Sequence, residues 1–196
     1  MAITTIAVLL FDDFETLDAM GPAEVFGCVP DCRLRFISRS GGEVISSHGV
    51  TVVTEPAGVP RFEALLIPGG QGTRRLCADS EYLEWLQRQV GLARLCMTVC
   101  TGSALLAATP LLDGLRATSN KRAFDWVTSL NDRVLWQPRA RWVRDGKFYT
   151  SSGISSGIDM ALQAVADFRG REQALEIAER MEYLWNDDAQ NDPFAR

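Results

Sequence analysis

Cys100 stands at the boundary between a short apolar run and an alanine- and leucine-rich segment in the stretch RLCMTVCTGSALLAA, residues 94–108. If the run is a strand and the segment a helix, the cysteine occupies a tight turn of the nucleophile-elbow type, for which Gly102 and Ala104 are small enough. A helix N-terminus aimed at the sulfur favours the thiolate and lowers the thiol pKa. The pattern predicts a reactive Cys100, with the amide of Thr101 placed to donate to a developing anion. Simple packing of a buried cysteine is the alternative.

A reactive thiol needs a neighbouring group that accepts and donates protons, and histidine, which could serve, is scarce in this chain. The one histidine, His48, falls in a predicted hairpin and is expected to be a turn residue. Carboxylic acids are the better candidates, since FETLDAMGPAEVFG (14–27) lies just beyond the first predicted strand. An acid held near a thiolate has its pKa raised by burial and by the neighbouring charge, and so carries a proton at neutral pH. The candidates there are Glu15, Asp18 and Glu24.

A second nucleophile motif competes with the first. GISSG (153–157) fits the G-x-S-x-G pattern of serine hydrolases, with Ser155 at its centre. The α/β-hydrolase order requires a histidine after the serine, and His48 precedes it. The segment is therefore better interpreted as the start of a helix rich in serine and glycine.

A glycine-rich loop, IPGGQG (67–72), follows another predicted strand. It lacks the lysine of a P-loop and the third glycine of a dinucleotide fingerprint, so neither nucleotide motif is indicated. Close approach of the backbone to a reacting group, with the Gly70 N–H as an oxyanion donor, is the favoured interpretation.

The elements that must position these residues alternate along the chain. Short apolar runs bounded by glycine, proline or polar residues predict buried strands at 3–11, 34–38, 64–68, 95–99 and 147–151. A hairpin is predicted over 44–55, with its turn near His48-Gly49, and further strands are predicted over 133–152, with a hairpin turn at Asp145-Gly146. Helical periodicity and capping residues predict helices after Cys100 and at 80–93, 121–130, 157–170 and 171–185. This alternation predicts an α/β fold with a mostly parallel sheet covered on both faces, in which chemistry gathers at the carboxyl ends of the strands.

Length and composition set outer bounds on function. The chain has 196 residues, enough for one domain over 1–196, with a net charge of −5 and a pI of about 5.0. No cluster of basic residues indicates binding to a nucleic acid or to an anionic membrane, and no apolar segment is long enough to span a membrane. The five cysteines form no zinc pattern and, with no export signal before them, are expected to stay reduced in the cytoplasm. No metal site is predicted.

These pieces together resemble the ThiJ/PfpI superfamily, the cysteine-elbow relatives of class I glutamine amidotransferases. The resemblance rests on FETLDAMGPAEVF, ALLIPGG, VCTGSALLAA, GLRATSNKRAF and SSGISSGIDMAL, which extend over nearly the whole chain. It implies a flavodoxin-like three-layer sandwich, a homodimer and no cofactor. It also implies that the elbow cysteine works beside an acid that follows the first strand, and the residue that matches this acid is Asp18.

Within the superfamily, LDAMGPAEVF and VCTGS are most similar to the isocyanide (isonitrile) hydratase branch. The resemblance implies that Cys100 attacks the terminal carbon of a small, uncharged isocyanide, that Asp18 protonates this carbon, and that water releases an N-substituted formamide. Asp18 or the Thr101 hydroxyl would handle the water. The residues expected to contact the substrate are Gly69, Asn120, Ser152 and Gly153. Phe124, Trp126 and Trp142 are either pocket walls or part of an aromatic core.

The sequence departs from its relatives at three positions. Thr101 replaces the histidine that follows the cysteine in the protease members, and Arg74 replaces their acid, so protease activity is disfavoured. Asn120 stands where many relatives have histidine, and an amide cannot act as a base near pH 7. Glyoxalase- or deglycase-like chemistry therefore remains only a further alternative.

A non-enzymatic role is the main alternative to a hydratase. The same branch resembles the sensor domains of AraC-type regulators, although the tail WNDDAQNDPFAR resembles no helix-turn-helix and a complete regulator is not expected. A thiol next to an acid is also readily oxidised to a sulfinate that the acid can hydrogen-bond. Binding of a ligand, or oxidation of Cys100, would then be the signal.

Overall fold

The computed structural model describes residues 3–58 and 61–195, so both ends of the predicted domain lie outside the described residues. The described strands belong to one eight-stranded sheet and one two-stranded sheet. They are β1 (Thr5–Leu9), β2 (Arg33–Ser38), β3 (Gly42–Ile45), β4 (Thr51–Pro56), β5 (Ala64–Ile67), β6 (Leu95–Thr98), β7 (Arg116–Ala117), β8 (Leu135–Trp136), β9 (Trp142–Asp145) and β10 (Phe148–Ser151).

Helices connect most of these strands. The α-helices are α1 (Thr16–Gly27), α2 (Gly72–Leu76), α3 (Ser80–Leu92), α4 (Gly102–Ala107), α5 (Phe124–Thr128), α6 (Ser156–Arg169) and α7 (Arg171–Arg180). Two short 3₁₀ turns, Pro110–Leu112 and Lys121–Ala123, complete the set. None of the helices in the described part of the chain has the length and apolar character that crossing a bilayer requires.

The large sheet is parallel in its centre and antiparallel at its two edges. Its order is β3-β4-β2-β1-β5-β6-β10-β9, with antiparallel pairing only between β3 and β4 and between β9 and β10. The central strands are apolar on both faces, as a sheet covered by helices on both sides requires. Ile6, Val8, Leu65, Leu66 and Met97 are fully buried there.

The order in which strands are added to the sheet reverses between the parallel strands β1 and β5, and this reversal places the site. From β1 the chain crosses to β2 on one side, whereas from β5 it crosses to β6 on the other. Because such crossovers are right-handed, α1 and α3 cover opposite faces of the sheet. A crevice opens at the carboxyl ends of the strands where this order reverses, and ligands of open α/β sheets bind in such crevices.

The predicted flavodoxin-like α/β fold is confirmed, including both hairpins and the end of α6 at Gly170. The helix predicted over 171–185 is wrong at its C-terminal end, because α7 stops at Arg180. Buried Asp159 on α6 fixes the conformation of the residues that follow α7. Its Oδ1 accepts hydrogen bonds from the Tyr183 hydroxyl and the Asn186 N–H, both at 3.0 Å, and these bonds replace another helical turn.

Two further elements differ from their predictions in type or in position. The helix predicted over 121–130 is divided into a 3₁₀ turn and the short α5, because Asn120 caps the turn with its side chain. Of the strands predicted over 133–152, the first is β8, which pairs with β7 outside the main sheet.

Candidate active site

Cys100 occupies a strained turn between β6 and α4, as the sequence predicts. Its φ is +58°, a left-handed conformation that non-glycine residues seldom adopt. Its N–H donates to the carbonyls of Ser151 and Ser152 at 3.2 and 3.0 Å, and its carbonyl accepts from the hydroxyls of Ser103 and Ser119. Hydrogen bonds from three segments of the chain therefore fix this turn.

Glycine at position 102 allows the turn to pack against the neighbouring loop. A Cβ on Gly102 would lie 2.4 Å from the carbonyl oxygen of Ile67 and 2.9 Å from that of Pro68. Both contacts are with backbone, which cannot move aside. The small residue expected at this position is thus required by a close approach between the elbow and the loop after β5.

Asp18 lies in the first turn of α1 and is completely buried. Its Oδ2 accepts a hydrogen bond of 2.9 Å from the Gly69 N–H, whereas Oδ1 has no hydrogen-bond partner among the described residues. The carboxyl lies close enough to the Cys100 thiol for each group to shift the pKa of the other. The acid singled out by the family resemblance is therefore beside the sulfur.

Gly69 permits this meeting of three segments. A Cβ there would lie 2.5 Å from the Thr101 nitrogen, 2.7 Å from the Thr101 hydroxyl and 2.9 Å from Oδ2 of Asp18. No side chain fits between the elbow and the acid. Gly69 therefore serves the site through its backbone, as a donor to Asp18.

Burial raises the pKa of both partners well above their ordinary values. For Asp18, burial outweighs the lowering effect of the Gly69 hydrogen bond, and the charge of Glu15 adds to the increase. For Cys100, burial raises the pKa most, and the Asp18 charge raises it further. The Thr101 amide and the Asn120 side chain oppose both effects. The lowered thiol pKa predicted from the helix N-terminus is therefore wrong. Because two adjacent buried anions are unfavourable, the pair retains at least one proton at neutral pH.

Thr101 and the Gly-Gly loop are locked together. The Gly70 N–H donates to the Thr101 hydroxyl at 3.0 Å, and the Thr73 hydroxyl lies 3.1 Å from the same oxygen. The Gly70 amide is thus already engaged, and its expected role as a free oxyanion donor is corrected. The Thr101 amide remains beside the sulfur. Thr73, which the sequence interpretation missed, lies in α2 and carried no recognisable signal.

Asn120 and Gly153 complete the surroundings of the sulfur. The Asn120 side chain lies near the sulfur and lowers the pKa of the thiol, while its Oδ1 accepts from the Arg122 and Ala123 N–H groups at 2.9 and 3.1 Å. A Cβ on Gly153 would lie 2.1 Å from Asn120 Nδ2 and 2.9 Å from the sulfur. Ser152, another expected contact residue, is 1% exposed and serves the site through its carbonyl.

A cavity of about 430 Å³ opens above the sulfur. Cys100 is only 6% exposed, so this cavity is its route to solvent. The residues that line it are Glu15, Ser47, Gly70, Gln71, Arg74, Cys100, Thr101, Asn120, Arg122, Ala123 and Ile154. A second, more apolar groove shares four of these residues and adds Leu17, Lys121, Gly153, Ser155 and Phe194.

The aromatic walls considered from the sequence do not line this cavity. Trp142 is buried in β9, and Phe124 packs edge-on against Trp136. Trp126 contributes indirectly, because the Arg74 guanidinium lies 4.5 Å from the centre of its ring. Arg74 and Arg122 were missed as lining residues because nothing in their local sequence marks them.

The other nucleophile and proton-transfer candidates lie away from the sulfur. His48 is 61% exposed, and its Nδ1 lies 3.1 Å from the Thr16 hydroxyl and 3.5 Å from Glu15. Glu15 reaches the cavity wall, whereas Glu24 is exposed on α1. Ser155 is exposed at the start of α6 and lines only the neighbouring groove.

The remaining cysteines differ from Cys100 in their surroundings. All five are free thiols. Burial raises the pKa of Cys77 and of Cys96 to about 12, and neither lines the cavity. Within residues 3–58 and 61–195, no group of three histidine, cysteine or acidic residues could hold a metal ion.

Comparison with known proteins places this site in a family context. The chain is 33% identical over 180 residues to the isonitrile hydratase of Pseudomonas putida, an alignment that covers 91% of this chain and 78% of that protein. It is 28% identical to the HTH-type transcriptional regulator GbdR of Pseudomonas aeruginosa over 91% of its own length, but it spans only half of the regulator. The crystal structure of a ThiJ/PfpI family protein from Pseudomonas syringae superposes with a TM-score of 0.84 at 28% identity, covering 93% of this chain and 76% of that one. Because residues 4–167 match the DJ-1/PfpI family, the chain belongs to that family.

Proposed function

We propose that the protein is a cysteine-dependent hydratase of a small electrophile, and that its substrate is an isocyanide, which it converts into an N-substituted formamide. One observation carries the proposal: the Cys100 thiol and the buried Asp18 carboxyl lie side by side beneath a cavity that reaches the sulfur. The similarity to an isonitrile hydratase supports this choice of substrate class.

In the first step, the terminal carbon of the isocyanide forms a bond to the Cys100 sulfur and gains a proton. The terminal carbon of an isocyanide accepts a nucleophile and a proton in turn. As the sulfur attacks, Asp18 removes the thiol proton and delivers it to the same carbon, which gives a thioimidate on Cys100. No free thiolate needs to accumulate, so the raised pKa of the thiol is compatible with this route.

The second step adds water and releases the sulfur. As water attacks the thioimidate carbon, Asp18 takes one of its protons and passes it to the substrate nitrogen, which leaves a hydroxyl on the carbon. The carbon–sulfur bond then breaks, and the proton of this hydroxyl returns to the sulfur as the formamide leaves. Over both steps one water is consumed, and the Cys100–Asp18 pair returns to its starting state.

The neighbouring residues hold the sulfur and steady its charge. The Thr101 amide and the Asn120 side chain both lower the pKa of the Cys100 thiol, so they stabilise the negative charge that develops on the sulfur when the proton leaves. The Thr101 hydroxyl is bound into the Gly-Gly loop, so Asp18 is the better group to activate water. His48 is exposed in the β3–β4 hairpin and has no part in this scheme.

Formamide production from an aryl isocyanide tests the proposal. The intact protein should convert the isocyanide with one equivalent of water, and Cys100→Ala should abolish turnover. Cys96→Ala is a matched control, because Cys96 is buried in β6 and does not line the cavity. Equal turnover in the intact protein and in Cys100→Ala, or no turnover of any isocyanide, would refute it.

An oxidant-sensing role is the second candidate, and the free Oδ1 of Asp18 favours it. This oxygen is buried and has no hydrogen-bond partner in the part of the chain that the structure describes, and a protonated carboxyl there could donate to a sulfinate formed on Cys100. Mass spectrometry after mild peroxide should then show oxygen added to Cys100 before the other four cysteines. Uniform oxidation of all five would exclude this role.

Two further expectations remain predictions. The homodimer implied by the family resemblance is to be tested by sedimentation equilibrium, where a mass near 21.6 kDa would contradict it. The cytoplasmic location expected from reduced cysteines is to be tested by fractionation of the source cells.

A further inference from the structure

Two arginine side chains, Arg74 and Arg122, line the same cavity as the Cys100 sulfur. Neither forms an ion pair within 4.0 Å with an acid among the described residues. By contrast, the adjacent Arg75 pairs with Asp13 at 3.4 Å. The route to the sulfur therefore carries two cationic groups whose N–H donors have no carboxylate to bind.

Arg74 is held in place for such a contact. Its guanidinium stacks 4.5 Å from the centre of the Trp126 ring, and Nη1 donates to Gln71 Oε1 at 3.1 Å. Stacking on an aromatic face restrains the planar group while its edge keeps the remaining N–H donors. Gln71 lines the cavity as well, so this restrained edge lies on the cavity wall.

The other charged residues near the cavity do not neutralise the two arginines. Glu15 is the one acid in the lining, and its carboxylate lies 3.5 Å from His48 Nδ1. The Lys121 ammonium is turned inward, where it donates to the Ala140 carbonyl at 2.6 Å and the Thr118 hydroxyl at 2.8 Å. The cationic character of the cavity therefore rests on Arg74 and Arg122.

We propose that Arg74 and Arg122 form an anion subsite, and that the natural ligand of this site carries a carboxylate within a few bonds of its reactive carbon. A guanidinium binds a carboxylate through two parallel hydrogen bonds, and a cavity of about 430 Å³ limits the ligand to a small molecule. The inference deepens the proposed function, because it replaces the uncharged isocyanide with an anionic one. The subsite itself can be tested without turnover.

Alkylation of Cys100 by two probes of similar size tests the subsite. Iodoacetate is anionic and iodoacetamide is neutral, and peptide mass spectrometry measures the rate of each at Cys100. The ratio of the two rates is divided by the same ratio for glutathione in the same buffer, which removes the intrinsic difference between the reagents. Arg74→Gln and Arg122→Gln are the test variants, and Arg75→Gln is the control, since Arg75 lies on the same helix but not in the lining.

The normalised ratio should exceed one in the intact protein and fall on the order of tenfold in Arg74→Gln and in Arg122→Gln, because each loses one charge close to the bound anion. Arg75→Gln should leave the ratio within about twofold. A ratio unchanged in both test variants, or equal to that in Arg75→Gln, would overturn the proposal.

A turnover experiment separates this inference from the proposed function. Isocyanoacetate and its methyl ester differ by one charge at the position that the subsite should bind. If the subsite is correct, Arg74→Gln raises the KM for isocyanoacetate on the order of tenfold and leaves that for the ester within about twofold. Turnover without any charge preference would refute the subsite alone. A charge preference in alkylation without turnover would refute the hydratase alone.

Discussion

Replacing Asp18 with asparagine should strongly reduce activity and at the same time stabilise the fold. The carboxyl is fully buried and receives one hydrogen bond, from the Gly69 N–H, while Oδ1 has no partner among the described residues. A buried carboxylate with so few donors costs several kcal/mol in solvation, and this cost raises its pKa. Asparagine keeps an acceptor for Gly69 and cannot ionise.

The effect should depend on pH in a defined direction. The pKa of Asp18 is higher in the folded than in the unfolded chain, so its contribution to stability is fully present below the unfolded value of about 3.9. This contribution is lost as pH rises through the raised folded value. Asp18→Asn should therefore be more stable than the intact protein by about 2 kcal/mol at pH 8, and the difference should shrink toward pH 4.

Urea unfolding at pH 4, 6 and 8 measures this difference, with Glu24→Gln as the matched control. Glu24 lies on the exposed face of the same helix, and its substitution should change stability by less than about 0.5 kcal/mol at each pH. Loss of proton transfer in Asp18→Asn should reduce kcat/KM by about 10²- to 10⁴-fold. A variant that is less stable than the intact protein at pH 8, with no dependence on pH, would refute the reasoning.

Three further substitutions test two residues beside the Cys100 sulfur and the buried Asp159 on α6. Asn120→Asp keeps the oxygen that caps residues 121–123 but loses the N–H donor beside the sulfur. The melting temperature should therefore change by less than about 3 °C, while kcat/KM falls tenfold or more. A normal rate would show that the donor is dispensable. Gly153→Ala places a Cβ 2.1 Å from Asn120 Nδ2 and 2.9 Å from the sulfur, so alkylation of Cys100 by iodoacetamide should slow at least tenfold in a folded protein; an unchanged rate would contradict this crowding. Asp159→Ala removes the buried partner of Arg141 and the acceptor that holds Tyr183 and Asn186, so urea unfolding should show a loss of about 3 kcal/mol or more. Limited trypsin digestion should then cut the segment after α7 faster, and equal protection would count against the anchoring role of Asp159.

Local patterns in the sequence were enough to predict the fold and the elbow. Apolar runs between glycine and proline predict the strands, and the small residues after Cys100 predict a tight turn, because both depend on residues near one another in the chain. The left-handed backbone of Cys100 and the tight packing of Gly102 agree with this interpretation.

The electrostatics of the site depend on residues that are distant in sequence. The helix after Cys100 is visible in the sequence and suggests a lowered thiol pKa. Burial and the carboxyl of Asp18 raise it instead, and both arise only when the sheet places β1 and β6 on either side of β5. In the same way, the Gly70 amide looks free in the sequence but is already bonded to Thr101 in the fold.

Contacts between residues that are distant in sequence also explain why the end of the helix predicted over 171–185 is wrong. The apolar periodicity of 171–185 continues past Arg180, but Asp159 and its partner Arg141 bind the segment in another conformation. The cationic wall of the cavity was missed for a similar reason. Arg74 and Arg122 are 48 positions apart and meet only in the folded chain.

Titration of the Cys100 sulfur tests whether the thiol and Asp18 act as one proton-sharing pair. Thiolate absorbance near 240 nm is measured against pH in the intact protein and in Asp18→Asn, with the matching Cys100→Ala proteins subtracted. Cys100 in the intact protein should ionise above the ordinary cysteine pKa of about 8.5, and Asp18→Asn should lower this value. A sulfur that is already fully ionised at pH 6, with a titration that Asp18→Asn leaves unchanged, would contradict this prediction.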